Sequence, residues 1–164
     1  MNFDNDFGHW LAGIIDGEGW FSLREYTRKR PYKGGLLTYS EWRAYFGIAL
    51  RSDDKSVIKM IHRYFDCGYF FERITGKKDG YNRHPQCFFL VANKQGLLKV
   101  IEIFTRFPLR TKKHKQFLIW VEGVKILCDR NRRFDHKYYL EEDKVKLRKL
   151  ISQLDKAHSY NEGE

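Results

Sequence analysis

The sequence predicts an α+β fold with the element order α-β-β-α-β-β-α-α-α, an αββαββα core followed by further C-terminal helices. Two patterns carry that reading. Apolar residues recur at helical spacing in five segments, and apolar and polar residues alternate in the segments between them. Size supports it: 164 residues at 42% hydrophobic suit one domain, 1–164, with a core over about 7–128 and a helical extension over about 129–158.

Residues 7–16 read as a short helix that Asp6 can cap and that Gly17 and Gly19 end. An extended run follows from Trp20 to Arg30. One face carries Trp20, Ser22, Arg24, Tyr26, Arg28 and Arg30, and the other begins with Phe21 and Leu23. "PYKGG" is a loop. From Thr38 to Arg51 the alternation returns, with Trp42, Ala44, Phe46 and Ile48 on one face and Glu41, Arg43 and Tyr45 on the other. "SDDKSVIKMIHRYF" is a helix capped by Ser52, with Val57, Ile58, Ile61 and Phe65 as its apolar stripe. The stretch from Cys67 to Asn93 reads as strand, basic glycine-rich loop and strand. Leu97, Leu98, Ile101 and Phe104 mark the next helix. "FPLRT" breaks it, and Thr111 can cap another running to about Cys128. A basic connection, "DRNRRFDHKYY", leads to a last helix marked by Leu147, Leu150, Ile151 and Leu154, and the tail "SYNEGE" should fray.

Thirty-one Lys and Arg against twenty-one Asp and Glu give a formal charge of +10. Such a balance points to a polyanionic partner, and the interleaving of basic with aromatic residues favours a folded nucleic-acid-binding surface over a disordered arm. No apolar run approaches the roughly 18 residues needed to cross a bilayer, and the N-terminus lacks a secretory pattern. A membrane partner is therefore not expected. Cys67, Cys87 and Cys128 are odd in number and lack metal-ligand spacing, which fits buried free thiols in a reducing intracellular compartment. The six histidines show no i, i+4 pairing of the kind a zinc site would use.

The stretch that sets the chemistry is "WLAGIIDGEGWFSLREY", Trp10 to Tyr26, where two carboxylates sit among three glycines at a helix-to-strand junction. Leu11-Ala12-Gly13-Ile14-Ile15-Asp16-Gly17-Glu18-Gly19 closely resembles the motif that names the LAGLIDADG homing endonucleases. "RSDDKSVIKMIHRYFDCGYF" is similar to that family's central helix and third strand. "FPLRTKKHKQFLIW" is similar to its Pro-Leu-x-x-Lys segment and following helix. The resemblance covers about residues 7–128 and contains one copy of the motif. It implies a saddle-shaped antiparallel sheet, and single-motif members act as homodimers. The motif's physics agrees. Gly13 and Gly17 are one turn apart, as are Gly8 and Ala12, so two copies of the helix could cross closely, with Ala12, Gly13, Asp16 and Gly17 at the interface. That would bring two Glu18 carboxylates together and call for a hard divalent cation such as Mg²⁺, with Mn²⁺ among possible substitutes.

By the same resemblance Lys112, after Pro108-Leu109-Arg110-Thr111, matches the family's active-site lysine, which would orient water or stabilise charge on phosphate. Lys113, His114 and Lys115 are neighbours able to share or take that role. A lysine in the first turn of a helix opposes the helix dipole, a misfit that favours function. Some family members carry a Gln near the end of the second strand. The matching position here is Leu50, with Arg51 beside it, and Arg51 is the candidate phosphate contact; a shift of one position would exchange the two. Asp16 would either hold the turn and orient Glu18 or cap backbone N–H groups.

Ser22, Arg24, Tyr26 and Arg28 follow Glu18 on the first strand and would face base edges in the major groove of double-stranded DNA. Glu41, Arg43 and Tyr45 would line the second strand, with Glu41 able to accept from cytosine N4, and Phe71, Arg73 and Thr75 would line the third. Lys77, Lys78, Arg130, Arg132, Arg133 and Lys137 are candidate phosphate contacts. The resemblance implies a homodimeric, Mg²⁺-dependent double-strand DNA endonuclease. It would cut a pseudo-palindromic site of roughly 20 bp to short 3′ overhangs and serve intron mobility in a prokaryotic cytoplasm, a chloroplast or a mitochondrion. The alternatives are a maturase acting on intron RNA and a cleavage-deficient DNA-binding regulator.

Overall fold

The computed structural model describes residues 4–73, 84–129 and 139–159. Thr75, Lys77, Lys78, Arg130, Arg132, Arg133, Lys137 and most of the C-terminal tail lie outside the described residues. The predicted α+β order is observed: α1 (Asn5–Glu18), β1 (Gly19–Tyr32), β2 (Gly35–Arg51), α2 (Lys55–Phe65), β3 (Tyr69–Arg73), β4 (Gln86–Val91), α3 (Lys94–Arg106), α4 (Lys112–Cys128) and α5 (Glu141–His158). The strands form one sheet in the order β1-β2-β4-β3. β4 runs antiparallel to both β2, with Phe46 opposite Val91, and β3, with Phe71 opposite Phe88.

α1 is longer than the sequence reading at both ends. The cap is Asp4, not Asp6: its carboxylate accepts from the N–H groups of Asp6, at 3.0 Å, and Phe7, at 3.5 Å. Gly8, Leu11, Ala12 and Ile15 are its buried stripe, and that burial carries the helix through Gly17 before Gly19 turns extended. β1 and β2 also run further than alternation suggested. They meet at Lys33 and Gly34, with φ of 43° and 81°. Two successive left-handed residues make a tight hairpin turn whose twist matches the strands. The turn falls inside the loop read at "PYKGG" and is shorter than that reading.

At the far end of β2 a 3₁₀ turn, Ser52–Asp54, precedes α2. Ser52 does not cap the helix. Its N–H donates to the Pro85 carbonyl at 2.9 Å, and its hydroxyl is buried without a hydrogen-bond partner among the described residues. Ile58, Ile61 and Phe65 form the buried face of α2, with Val57 at the margin. On α3, Leu97, Val100, Ile103 and Phe104 point inward, while Leu98 is 43% exposed, so the stripe is rotated from the one read in the sequence. The Asn93 side chain caps α3 by accepting from Gly96 N–H at 2.8 Å, and Thr111 caps α4 by accepting from Lys113 N–H at 3.2 Å. No disulfide joins the three cysteines; Cys87 is buried, and Cys67 and Cys128 are half-buried.

The contacts fall into two units, Met1–Phe21 with Tyr45–His114, and Ser22–Ala44 with Lys115–Glu164. The first is centred on Phe46, whose ring lies 5.4 Å from Phe21, 5.5 Å from Phe104 and 5.6 Å from Phe65. Burying an aromatic ring of this size contributes about 2–3 kcal/mol before conformational entropy is counted. In the second unit Leu23, Trp42, Phe117, Trp120, Val124, Leu147, Leu150 and Leu154 are buried. Gln116 donates to the Ala157 carbonyl at 2.8 Å. Arg148 meets Glu25 through two hydrogen bonds of 2.9 and 3.0 Å, which hold the Glu25 carboxyl below its usual range against the opposing effect of burial.

Candidate active site and nucleic-acid interface

The motif's two carboxylates part ways at the end of α1. Asp16 reaches the start of α4. One of its oxygens accepts from Arg110 N–H at 2.8 Å, and the other accepts from the N–H and hydroxyl of Thr111, at 3.1 and 2.7 Å. A carboxylate at a helix N-terminus satisfies orphan donors and offsets the dipole, and here it does so across 95 residues of sequence. Of the two roles open to Asp16, the cap on backbone N–H groups is the one observed. Glu18 is exposed at the helix end.

The Asp16 cap places the first turn of α4 against the motif. Lys113 donates its Nζ to the carbonyl of Gly19, the residue after Glu18. Burial pushes its pKa down, while the Glu18 carboxylate, felt across the site, opposes that shift; Lys112 lowers it further. Lys112, the lysine matched by the Pro-Leu-x-x-Lys spacing, is exposed. Lys113, one of the neighbours named as able to take the role, is thus held against the motif's backbone, with Lys112 next to it. A first-turn pair of lysines was the available signal, but spacing alone does not tell which of the two turns inward.

Arg51 has the same parity as Glu41, Arg43 and Tyr45, and Leu50 shares parity with the buried Trp42, Ala44, Phe46 and Ile48. Alternation therefore puts Arg51 on the outer face. Its guanidinium pairs with Asp53 at 2.8 Å, both side chains more than half exposed.

On α1, Ala12 is 5% exposed and packs into its own chain. That burial takes it out of the set available to a second copy, because its place on the helix matches Leu11 and Ile15. Gly13 and Gly17 are exposed, and a Cβ added to either would meet nothing within 4 Å. They leave an open, small-residue strip on the motif helix.

The outer strand faces divide between the units. In the first, Phe71 stacks on Phe88, with centroids 4.9 Å apart and planes 5° off parallel, and the Arg73 guanidinium lies 5.4 Å over the Phe88 ring. Trp20 lies over Gly47, where any Cβ would come within 2.3 Å of the indole, and Tyr45 is half-buried. Phe88, absent from the sequence reading, joins this platform because β4 presents its even residues outward. In the second unit Ser22 and Tyr26 are half-buried on β1, Arg24 pairs with Asp155 at 3.5 Å, and Arg28 lies 5.3 Å over the Tyr26 ring. Glu41 is engaged by two arginines on the same outer face. It accepts from Arg28 Nε at 2.8 Å and from Arg43 Nε and Nη2 at 2.8 and 2.7 Å.

The family model for the LAGLIDADG endonucleases matches residues 11–124, spanning the motif, the sheet and most of α4. The chain belongs to the LAGLIDADG endonuclease family. Among curated relatives, a probable intron-encoded endonuclease, Cox1-I1b of Schizosaccharomyces pombe, is 27% identical over 145 residues, covering 88% of this chain and 34% of that protein. Probable intron-encoded endonuclease 4 of Neurospora crassa is 26% identical over 136 residues, 79% of this chain and 20% of that one. The chain thus spans 34% and 20% of the length of these curated relatives. Of solved structures, the homing endonuclease I-TnaI superposes with a TM-score of 0.69 at 22% identity, over 98% of this chain and 92% of that one. The archaeal intron-encoded I-Vdi141I, complexed with DNA, gives 0.71 at 20% identity, over 98% and 91%. The fold is that of the LAGLIDADG homing endonucleases.

Proposed function

We propose that this chain is a homodimeric, divalent-metal-dependent, site-specific DNA endonuclease. The observation that carries the reading is the junction at the end of α1. Glu18 stands exposed there, Lys113 is drawn to the adjoining Gly19 carbonyl, and Asp16 fastens the lysine's helix to the motif. The open strip at Gly13 and Gly17 supports a second copy as the partner, since two helices meet closely only over small side chains. I-SmaMI, of which the chain covers 47%, was seen bound to an uncleaved DNA target in the presence of calcium ions.

The residues fit a magnesium ion. Glu18 is an exposed carboxylate, the kind of donor Mg²⁺ takes when phosphate and water complete its shell. Glu18, with its counterpart on a second copy, would hold the ion, with Mn²⁺ able to replace Mg²⁺. When bound, the metal supplies charge stabilisation at the phosphate and a more acidic water. Lys113 places a cation beside Glu18, suited to orient water or neutralise charge on the phosphate. Arg51, at the outer end of β2, would contact backbone phosphate. Ser22, Arg24, Tyr26, Arg28, Arg43, Tyr45, Phe71 and Arg73 would contact the duplex. The 14 residues of β1 reach roughly 46 Å, enough for one turn of B-DNA, so two copies would cover about 20 bp with two-fold symmetry.

The test is cleavage of supercoiled plasmid carrying the DNA that flanks the chain's own coding element. Mg²⁺ should give a double-strand cut at one position with short 3′ overhangs, and EDTA should abolish it. Glu18→Gln should bind that plasmid as wild type does and cut at least about 100-fold more slowly. Full cleavage by Glu18→Gln would remove Glu18 from the reaction, and specific binding without cutting in Mg²⁺ would leave a regulator on this fold.

A further inference from the structure

In the unit that carries Glu18, the outer face of the sheet presents aromatic rings where a charged face would be expected of a chain at +10. Residues opposite one another on antiparallel strands share a face. Phe88 of β4 stands opposite Ala49 of β2 and Phe71 of β3, so these three form one apolar row across three strands. The Phe71 and Phe88 rings are parallel to within 5°, with centroids 4.9 Å apart, a stack that orders both side chains before any ligand arrives. Trp20 meets Phe88 edge-on at 6.5 Å. Gly47 makes room for it, since a Cβ there would come within 2.3 Å of the indole. Phe71 is 37% exposed, so the stack reaches the surface as a ledge. At the strand ends the face turns polar. Gln86 stands opposite Arg51 on one side and Arg73 on the other, and the Arg73 guanidinium lies 5.4 Å over the Phe88 ring.

We propose that the ledge of Phe71 and Phe88, walled by Trp20, reads thymine 5-methyl groups in the major groove and so selects A·T pairs in the target site. This rests on the reading of the chain as a DNA endonuclease. Two observations choose the occupant. The chain carries a formal charge of +10, and the arginines at the end of the ledge suit the phosphates that border a groove. The ledge itself holds no hydrogen-bonding group, and the thymine methyl is the apolar group on the floor of the major groove. Over a G·C pair the same rings would displace water from O6, N7 or N4 without replacing its hydrogen bonds, and unmade bonds are costly. The ledge therefore gains at thymine and loses elsewhere. Little side-chain freedom is lost on contact, because the rings are already stacked.

The experiment starts with selection of a duplex from a randomised library by the full-length protein in Ca²⁺. Each thymine of the selected duplex is then replaced, one at a time, by deoxyuridine, which keeps every hydrogen-bonding group and removes only the methyl. Wild type should lose affinity about fourfold at one or more thymines, the effect of one apolar carbon left unburied. At those positions a G·C pair should weaken binding further, and 5-methylcytosine, which carries its methyl at the same place, should recover about fourfold. Phe71→Ala should bind the thymine and deoxyuridine duplexes equally at those positions. Phe88→Leu, which stays apolar but cannot stack, should keep only part of the discrimination. A selected site without any A·T preference, or wild-type affinity unchanged by deoxyuridine at every thymine, would overturn the proposal. So would Phe71→Ala, shown by circular dichroism to be folded, if it kept the wild-type response at every thymine. The first comparison alters the DNA alone, so it decides the matter whatever Phe71→Ala does to folding. Failure of the wild type to enrich any duplex would instead sink the DNA-binding reading itself, and the ledge with it.

Discussion

Replacing Asp16 by alanine tests whether the motif's first acidic residue builds the active site from within the chain. The carboxylate takes three donors: Arg110 N–H at 2.8 Å, Thr111 N–H at 3.1 Å and the Thr111 hydroxyl at 2.7 Å. Loss of a helix N-cap costs about 1 kcal/mol, up to about 2. A charged acceptor with several donors lies at the upper end, while the partial exposure of the site lets water replace some of the loss. The expected cost is therefore about 2 kcal/mol for Asp16→Ala. For Asp16→Asn, which keeps one carbonyl oxygen but no charge, it is about 1 kcal/mol. Urea titration followed by circular dichroism would read both as shifts in midpoint at constant slope. Thr111 also accepts from Lys113 N–H at 3.2 Å, so loosening Asp16 should unseat Lys113. Asp16→Ala should then lower kcat by at least tenfold at saturating DNA while KM changes little, a split that a purely structural loss would not give. Thr111→Val in the Asp16→Ala background should cost much less than in wild type, because the two side chains share one bond. An Asp16→Ala midpoint within about 0.5 kcal/mol of wild type, with unchanged kcat, would refute the reasoning.

Gly13→Leu should leave the folded chain as stable as wild type or slightly more so, since nothing lies within 4 Å of the new Cβ and leaving glycine gains up to about 1 kcal/mol in a helix. It should abolish the dimer in sedimentation velocity, and a mutant that stayed dimeric would place the interface elsewhere. Gly8→Ala faces the opposite constraint: its Cβ would come within 2.4–2.6 Å of the buried Phe107 ring. Overpacking of about 1–3 kcal/mol should exceed the helix-propensity gain and lower the melting temperature. Glu25 titrates below its ordinary value of 4.5 because Arg148 stabilises the charged form. Its contribution is complete above that value and is lost as pH falls through the lower folded-state pKa. Stability measured down an acid series should fall less steeply in Glu25→Gln than in wild type, and equal slopes would mean the pair contributes nothing.

Periodicity alone determined the elements, their order and which face of β1 and β2 is buried, because alternation and helical spacing are properties of a few adjacent residues. The same holds for the nine-residue motif and its acidic junction. Long-range packing decided the rest. Gly13 and Gly17 stay open while Gly8, under the Phe107 ring, and Ala12 turn inward. Lys113 meets the motif because Asp16 holds Arg110 and Thr111, 94 and 95 residues along the chain, at the start of α4. Glu41 meets two arginines, because a neighbouring strand carries Arg28 to it. Each of those outcomes depends on which partner lies across the fold, and a chain of local preferences holds no record of that distance.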